Sequence, residues 1–400
     1  MRILVLTNRV PYPLHDGGNI ASMQMIDSMR RCGYEVKLLS LNTRKHHVDL
    51  SKLPESYNSI HPEVTDINTD IDLKGVLTHL FKGKSYNASR FVSNEFKQLL
   101  QQTLLNGNFD LVHFEGIYMA SYLETVRAHT NAKCVLRPHN IEYEIWENAA
   151  EDSGKFKGLY LKILAKQLKR FEIGYWPLFD GIIPITTSDE FTIRDQLKPI
   201  SHILTLPTAM DIQRIEVQVE KSNNLSVFHL GSMNWIPNQQ AMQWFMENAW
   251  PTVAASTKAT FYMAGRDMPE AFFGYENENV KVIGEVADAG LFMSDKQIMV
   301  VPLFAGSGVR IKILEGMAAG KTIITTSLGV QGIDVFDKQE VLIANNPKSF
   351  AEAVIWCIKN EKKCKEIGLR ARKFMEENYS LSQFEAQLKL FLQQVCSNTN

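Results

Sequence analysis

The sequence lacks most features that would tie it to a special environment. Its five cysteines, Cys32, Cys134, Cys357, Cys364 and Cys396, are scattered through 400 residues with no CxxC pair. That spacing indicates neither a disulfide framework nor a zinc site, and no metal is expected. A reducing, cytoplasmic setting fits. Charge of one sign is also missing, because 43 Lys and Arg against 44 Asp and Glu leave a formal net charge of −1. This argues against a dedicated nucleic-acid binder. No apolar run reaches the roughly 18 residues of a membrane span. The opening run, residues 1–6, ends at Thr7-Asn8-Arg9 and is too short for a signal-peptide core with its cleavage site. There is no repeat of fixed period and no low-complexity tract.

What is present is an alternation of short apolar runs and helically spaced segments. A chain of 400 residues exceeds what one core serves, so two domains of roughly 200 residues are expected. Residues 3–7 read as a buried strand, followed by a loop with two prolines and the pair Gly17-Gly18. A helix is expected over 20–31 through Ile20, Met23, Ile26 and Met29, with Gly33 as its stop, then a strand over 35–41. Residues 44–105 show no sustained period. Strands are expected at 111–114, 134–136, 181–185 and 203–206, and helices at 155–172 and 189–196. Residues 208–224 turn polar and aperiodic, the composition of a domain boundary. The alternation then restarts with strands at 226–230, 260–264, 280–283, 298–303 and 322–326 and helices at 239–248, 347–359, 361–377 and 380–395. Two doubly wound α/β domains in series are the economical architecture.

Several stretches carry candidate chemistry. Residues 305–321, AGSGVRIKILEGMAAGK, lie between two expected strands and read as a glycine loop opening a helix. Gly306 and Gly308 permit close approach of a ligand, and a helix N-terminus attracts anions. Arg310 and Lys312 put two positive charges at that end, where they oppose the helix dipole and need an outside reason, which a bound phosphate supplies. Gly17-Gly18 either presents amides to a phosphate or relieves a tight turn. Arg137-Pro138-His139-Asn140 follows a strand, where open α/β sheets place ligands, so His139 is either a site residue or a satisfied structural one. The lysine-rich helix 155–172, with Leu159, Ile163, Leu164 and Leu168, is either a solvated outer face or a surface for an anionic bilayer. The basic, aromatic segment 81–91 has the same two readings.

Taken together, these motifs resemble family 4 glycosyltransferases over nearly the whole chain, most specifically in the run from Gly308 to Gly320 that contains Leu314-Glu315-Gly316-Met317-Ala318-Ala319. The resemblance implies the GT-B fold, two Rossmann-like domains facing each other across a cleft. It implies residues 1–208 on the acceptor side, 209–378 on the donor side, and 379–400 crossing back to the first domain. It implies retaining transfer of a sugar from a nucleoside diphosphate sugar to a glycan or lipid-linked acceptor, without a metal or other cofactor and without nucleic acid. A peripheral contact with the inner membrane face accompanies that reading.

In this resemblance Glu315 matches the second glutamate of the family's paired motif and holds the ribose hydroxyls. Gly308, Val309, Ile311 and Lys312 belong to the donor loop, with amides at Ile311 and Lys312 for the distal phosphate. Gly17 and Gly18 approach it from the other domain. Gly231 and Ser232 lie in the loop after the first strand of the second domain, Val286 near the base, and His139 near the transferred sugar. Two departures stand out. Ser307 replaces the first glutamate, and the Arg and Lys usual after the first strand of the second domain are absent, with Ser232, Met233 and Asn238 in that region. Arg310, Lys312 and Arg266 are the available substitutes, and Arg310 is assigned to the leaving group. A sugar-nucleotide epimerase on the same fold, or a degenerate nucleotide-sugar binding protein, are the competing readings.

Overall fold

A computed structural model of the chain describes residues 1–14, 17–70, 85–151, 153–197, 202–212, 215, 226–305 and 309–397. The chain divides into two compact units, Met1–Ala209 with Ser382–Asn400, and Met210–Leu381. In the first unit the strands are β1 (Arg2–Thr7), β2 (Glu35–Thr43), β3 (Glu63–Ile67), β4 (Leu111–Glu115), β5 (Lys133–Arg137) and β6 (Gly181–Ile182). Its helices of seven residues or longer are α1 (Gly17–Arg31), α2 (Asn94–Asn106), α3 (Leu123–His129), α4 (Glu142–Glu151), α5 (Lys155–Tyr175) and α6 (Thr187–Gln196). The second unit has strands β7 (Val227–Leu230), β8 (Phe261–Ala264), β9 (Val280–Gly284), β10 (Ile298–Val301), β11 (Thr322–Thr325) and β12 (Val341–Ile343). Its helices of that length are α7 (Ile236–Trp244), α8 (Trp250–Ser256), α9 (Ile311–Ala318), α10 (Pro347–Lys359) and α11 (Glu361–Asn378). A last helix, α12 (Leu381–Ser397), belongs almost wholly to the first unit.

Each unit has one six-stranded sheet, in the orders β3-β2-β1-β4-β5-β6 and β12-β11-β10-β7-β8-β9. All the ladders are parallel, and both orders are the doubly wound Rossmann order 3-2-1-4-5-6. A parallel sheet is covered by helices on both faces, so its central strands must be apolar throughout. Ile3, Leu4, Val5 and Leu6 of β1 and Ile298, Met299, Val300 and Val301 of β10 are accordingly fully buried. These are the two doubly wound α/β domains expected from the strand and helix periods.

The differences from the expected elements have local causes. The 203–206 strand does not form. Ile203 makes only an isolated bridge to Ile182, because Pro184 in the facing segment has no N–H and can only accept, from Leu206 at 2.9 Å. For the same reason the 181–185 strand shortens to Gly181–Ile182. The 239–248 helix starts earlier, at Ile236, with Pro237 in its first turn where no N–H is needed. It continues through a π turn over Phe245–Ala249 into α8, where Pro251 would otherwise leave a helical carbonyl without its donor. Helix α1 takes in the glycine pair and starts at Gly17.

Helix α12 packs on the first unit through an ion pair between Glu385 and Arg31. Phe391 and Val395 lie so close to Gly181 that a Cβ there would sit 2.9 and 3.0 Å from them. A similar approach fixes α11, where a Cβ on Gly368 would lie 2.2 Å from the Gly320 carbonyl oxygen. Alanine is the better helix former by about 1 kcal/mol, yet Gly368→Ala forces a backbone shift. We expect a net loss of about 1 to 3 kcal/mol in denaturant unfolding, and a stabilised variant would contradict that packing.

Candidate functional site

Open parallel sheets bind ligands outside the carboxyl ends of their strands, at the switch point where the strand order reverses. That point lies between β1 and β4 in the first unit and between β7 and β10 in the second. Both carry buried polar groups of a kind a core does not otherwise tolerate.

In the second unit, β7 leads into Gly231. A Cβ on this residue would lie 3.1 Å from each of Asn238 Nδ2, His229 Nε2 and Lys312 Nζ. Glycine therefore leaves a small concavity walled by three nitrogen atoms. Lys312, in the first turn of α9, turns its ammonium inward and donates to Asn238 Oδ1 at 2.5 Å. Asn238 Nδ2 donates to the Ser232 carbonyl at 2.7 Å. His229 is fully buried, its Nδ1 bonded to the Val300 carbonyl at 2.9 Å and its Nε2 without a partner among the described residues. Burial, with the Lys312 charge second, pushes His229 down to about 3, so the ring is neutral and Nε2 carries a lone pair. Burial and then the Arg310 charge lower Lys312 to about 7. No carboxylate is hydrogen-bonded to this ammonium among the described residues, so the cluster carries uncompensated positive charge.

Arg310 is the N-cap residue of α9 and is 4% exposed, with its guanidinium carbon 6.0 Å from the centre of the Trp235 ring. Burial lowers its pKa. Three residues beyond Lys312, and so on the same side of the helix, stands Glu315. Its carboxyl is half-buried, is pushed up by burial, and has no hydrogen-bond partner among the described residues. Gly265 closes the floor, since a Cβ there would fall 1.8 Å from the Gly231 carbonyl oxygen.

The structure thus brings Gly231, Lys312 and Asn238 into one cluster, with Arg310 beside it at Trp235. Ser232 contributes its carbonyl, while its hydroxyl donates to Asn234 Oδ1 at 2.9 Å. Arg266 is turned towards its neighbour Asp267, at 3.5 Å, and takes part through its carbonyl, which accepts from the Met233 N–H at 2.7 Å. Val286 is half-buried two residues beyond β9. Val309 and Ile311 pack against the unit's core. Gly306, Ser307 and Gly308 lie outside the described residues, as do residues 81–84 of the basic segment.

In the first unit the polar cluster centres on Glu115, the last residue of β4 and 2% exposed. Its Oε1 accepts from Arg137 Nη1 at 2.9 Å and from His139 Nε2 at 2.6 Å, and its Oε2 pairs with His113 Nε2 at 2.6 Å. Burial alone would raise this carboxyl, but the Arg137 charge and the two imidazoles hold it well below the usual carboxylate range. Arg137 Nη1 also donates to the Ala21 carbonyl at 2.9 Å, which ties the strand ends to α1 a turn beyond Gly17 and Gly18. The loop carrying His139 is held by Glu172 of α5, which accepts from the backbone N–H groups of Glu142 and Tyr143 at 3.2 and 2.8 Å. Glu115 and His113 were not among the expected site residues. The signal was available, since strand residues two apart share a face and two ionisable residues on one face of a buried strand need partners.

Residues 224–360 match the sequence model of Glycosyl transferases group 1. A Klebsiella pneumoniae protein described as an uncharacterized 44.6 kDa protein in the cps region is 23% identical over 397 residues, 94% of this chain and 96% of that one. The sucrose-phosphate synthase of Thermosynechococcus elongatus superposes with a TM-score of 0.69 at 13% identity, covering 100% of both chains. Anabaena HepE, solved in complex with UDP, gives 0.65 at 14% identity over 98% of this chain and 100% of that one. The likeness to these solved structures shows the GT-B fold. In this GT-B chain no described helix is long and apolar enough to cross a membrane.

The buried ammonium has a testable consequence for stability. An unfolded Lys312 keeps its proton up to about 10.4, whereas the folded one loses it near 7. Between those values the unfolded state binds more protons, so wild-type stability gains with rising pH from this residue, and the full penalty is present below pH 7. Lys312→Met is therefore expected to be more stable than wild type below pH 7, by about 1 to 4 kcal/mol, with the gap closing towards pH 10. Denaturant unfolding across that range checks it, and a gap independent of pH would show that the ammonium is not the cause.

Proposed function

We propose that the protein transfers a glycosyl group from a nucleoside diphosphate sugar to a hydroxyl of a glycan or lipid-linked acceptor, with retention of configuration and without a metal. The observation that carries this reading is the buried Lys312 ammonium at the switch point of the second unit, which has no carboxylate hydrogen-bonded to it among the described residues, with the Glu315 carboxylate, likewise unpartnered among them, three residues on along α9. A diphosphate supplies the negative charge the cluster lacks. A ribose supplies the paired hydroxyls that a carboxylate accepts in bidentate fashion. Support also comes from HepE, solved in complexes with UDP and with UDP-glucose, from Staphylococcus aureus TarM, solved with UDP and a glycan, and from the relative in a cps region. The last points to polysaccharide synthesis.

In the reaction the anomeric carbon–oxygen bond to the diphosphate breaks and a new carbon–oxygen bond forms on the same face. The acceptor's proton passes to the departing phosphate oxygen. Charge develops on the diphosphate, and Arg310 and Lys312 stabilise it from fixed positions. His139 is assigned to a sugar, and Gly17 and Gly18 to a phosphate. The lysine-rich α5, with Leu159 62% and Ile163 40% exposed, is assigned to an anionic membrane surface at the inner face of the membrane.

A thermal-shift panel of UDP, GDP, ADP and their sugar conjugates identifies the donor, since a ligand of the folded state raises apparent stability. No shift with any of them would overturn the reading. Arg310→Gln is expected to raise the barrier by about 2 to 4 kcal/mol, measured as donor hydrolysis or transfer. Glu315→Ala is expected to weaken nucleotide binding, and an unaltered dissociation constant removes the ribose role. Because Lys312 titrates near 7 when free and is needed charged in the complex, nucleotide affinity should fall as pH rises above 7, by up to about tenfold per pH unit. Lys312→Met should flatten that profile.

A further inference from the structure

Within the second unit, Lys312 is held in place without being neutralised. Its ammonium donates to Asn238 Oδ1 at 2.5 Å. Asn238 is 4% exposed, lies in the first turn of α7, and donates from Nδ2 to the Ser232 carbonyl at 2.7 Å. A carbonyl oxygen only accepts, so the amide nitrogen must face Ser232 and the amide oxygen Lys312. The loop between Ser232 and Asn238 is itself fixed. The Asn238 N–H donates to the Trp235 carbonyl at 2.9 Å, the Met233 N–H to the Arg266 carbonyl at 2.7 Å, and Gln239 Nε2 to the Met233 carbonyl at 2.6 Å. The other titratable groups facing the ammonium among the described residues add no negative charge. From β7 comes the neutral His229 ring, whose Nε2 has no partner among them and borders the same space over Gly231, and from the N-cap of α9 comes a second cation, Arg310. An ammonium withdrawn from water is ordinarily paired with a carboxylate. Aspartate has the size of asparagine and would supply one at position 238, yet the chain has the amide. That amide fixes the direction of Lys312 Nζ through one hydrogen bond and leaves its charge unspent.

We propose that Asn238 is a positioning residue for anion binding in the second unit, whose neutral amide directs the Lys312 ammonium to the space over Gly231 and keeps its charge available to a diphosphate. This deepens the transferase reading and rests on it for the nucleoside part of the ligand, whereas the arrangement of Asn238 and Lys312 calls only for the diphosphate. It makes the neutrality of residue 238, and not its hydrogen bond alone, the determinant of affinity. A carboxylate there would keep the hydrogen bond to Lys312, satisfy its charge internally and repel the ligand.

Full-length Asn238→Asp and Asn238→Ala are compared with wild type, with circular dichroism to confirm the fold and with inorganic pyrophosphate and UDP as probes. Without ligand, wild type should gain stability as pH rises from 7 towards 10, because the folded ammonium loses its proton there while the unfolded one keeps it. In Asn238→Asp the new carboxylate holds that proton in the folded state, so this rise should be lost, whereas Asn238→Ala should keep it. Below pH 7, Asn238→Asp is expected to lower affinity for both probes by about tenfold to a hundredfold, the worth of one hydrogen bond to a charged group, and by more than Asn238→Ala does. A purely structural role gives the reverse order, since aspartate keeps the acceptor and alanine removes it. If Asn238→Asp does not fold, Asn238→Ala decides, because without the amide oxygen the ammonium loses its proton more readily and the fall in affinity should begin at lower pH than in wild type. A folded Asn238→Asp that binds pyrophosphate as tightly as wild type, or better than Asn238→Ala, overturns the proposal. So does an Asn238→Asp that keeps the rise in stability, or an Asn238→Ala whose pH profile matches wild type. Pyrophosphate binding with the expected pattern in a protein that takes no nucleotide supports the role of Asn238 and removes the transferase reading, UDP binding without the pattern does the opposite, and binding of neither probe overturns both.

Discussion

The carboxylate of Glu115, enclosed at the carboxyl end of β4, is the interaction on which the first unit's site depends. An isolated carboxylate there would be too costly to keep charged. Here it gathers Arg137 and two histidines, from the same strand, from the neighbouring strand and from the loop beyond. A buried ion pair adds little net stability over an apolar core of the same shape, whereas removing one partner costs several kcal/mol. Such a cluster therefore contributes geometry more than free energy. It fixes the directions of side chains that a loop alone would leave free, and it does so at the switch point between β1 and β4.

The second unit meets the same problem in the opposite way. Its switch point holds the Lys312 ammonium beside Asn238 and a neutral His229, with Arg310 two residues before it and no carboxylate hydrogen-bonded to Lys312 among the described residues. Where the first unit pairs its buried charge, this one leaves the Lys312 ammonium without a bonded carboxylate among the described residues. Gly231 and Gly265 matter for the same reason, because a side chain at either would fill the space or push the strand ends apart. A Cβ at 231 would lie 3.1 Å from the Lys312 Nζ and screen it.

Much of this was legible in the sequence, and what was not has physical reasons. Continuous apolar runs gave the central strands of both sheets, because strands buried on two faces leave no other pattern, but not the edge strands β3 and β12. Helix spacing gave α9, α10 and α11, and Glu315 was recognisable by its place in the 308–320 run. Glu115 was not, since the strand was read as ending at Phe114 and a period of two is hard to see over five residues. The pairing of Lys312 with Asn238 spans 74 residues, and nothing local to either announces it. The missing cation after β7 was visible as an absence, but only the fold shows an ammonium from α9 reaching Asn238. Residues 203–206 were misread because the defect lies in the partner, at Pro184, and not in the apolar run itself.

The two arrangements also differ in what a ligand does to them. Under the proposed reading a ligand at the first unit meets a carboxylate already bonded by Arg137 and two histidines, so what that unit contributes is directional. Binding of an anion at the second removes a penalty that folding has left in place. Burial lowers the Lys312 pKa, and in the proposed function a diphosphate that restores the ammonium's proton would convert that penalty into affinity. A site built this way sacrifices stability when empty and gains selectivity for charge when filled, because a neutral ligand leaves the penalty untouched. The serine at 307 and the asparagine at 238 remove formal charges from positions where a resemblance would place them. In the proposed transferase the compensating cations then come from the start of α9, and recognition of the diphosphate and of the ribose would be gathered onto that eight-residue helix and its N-cap residue. Its close seating against β10 and β11 through Gly316 makes that helix rigid enough to carry both.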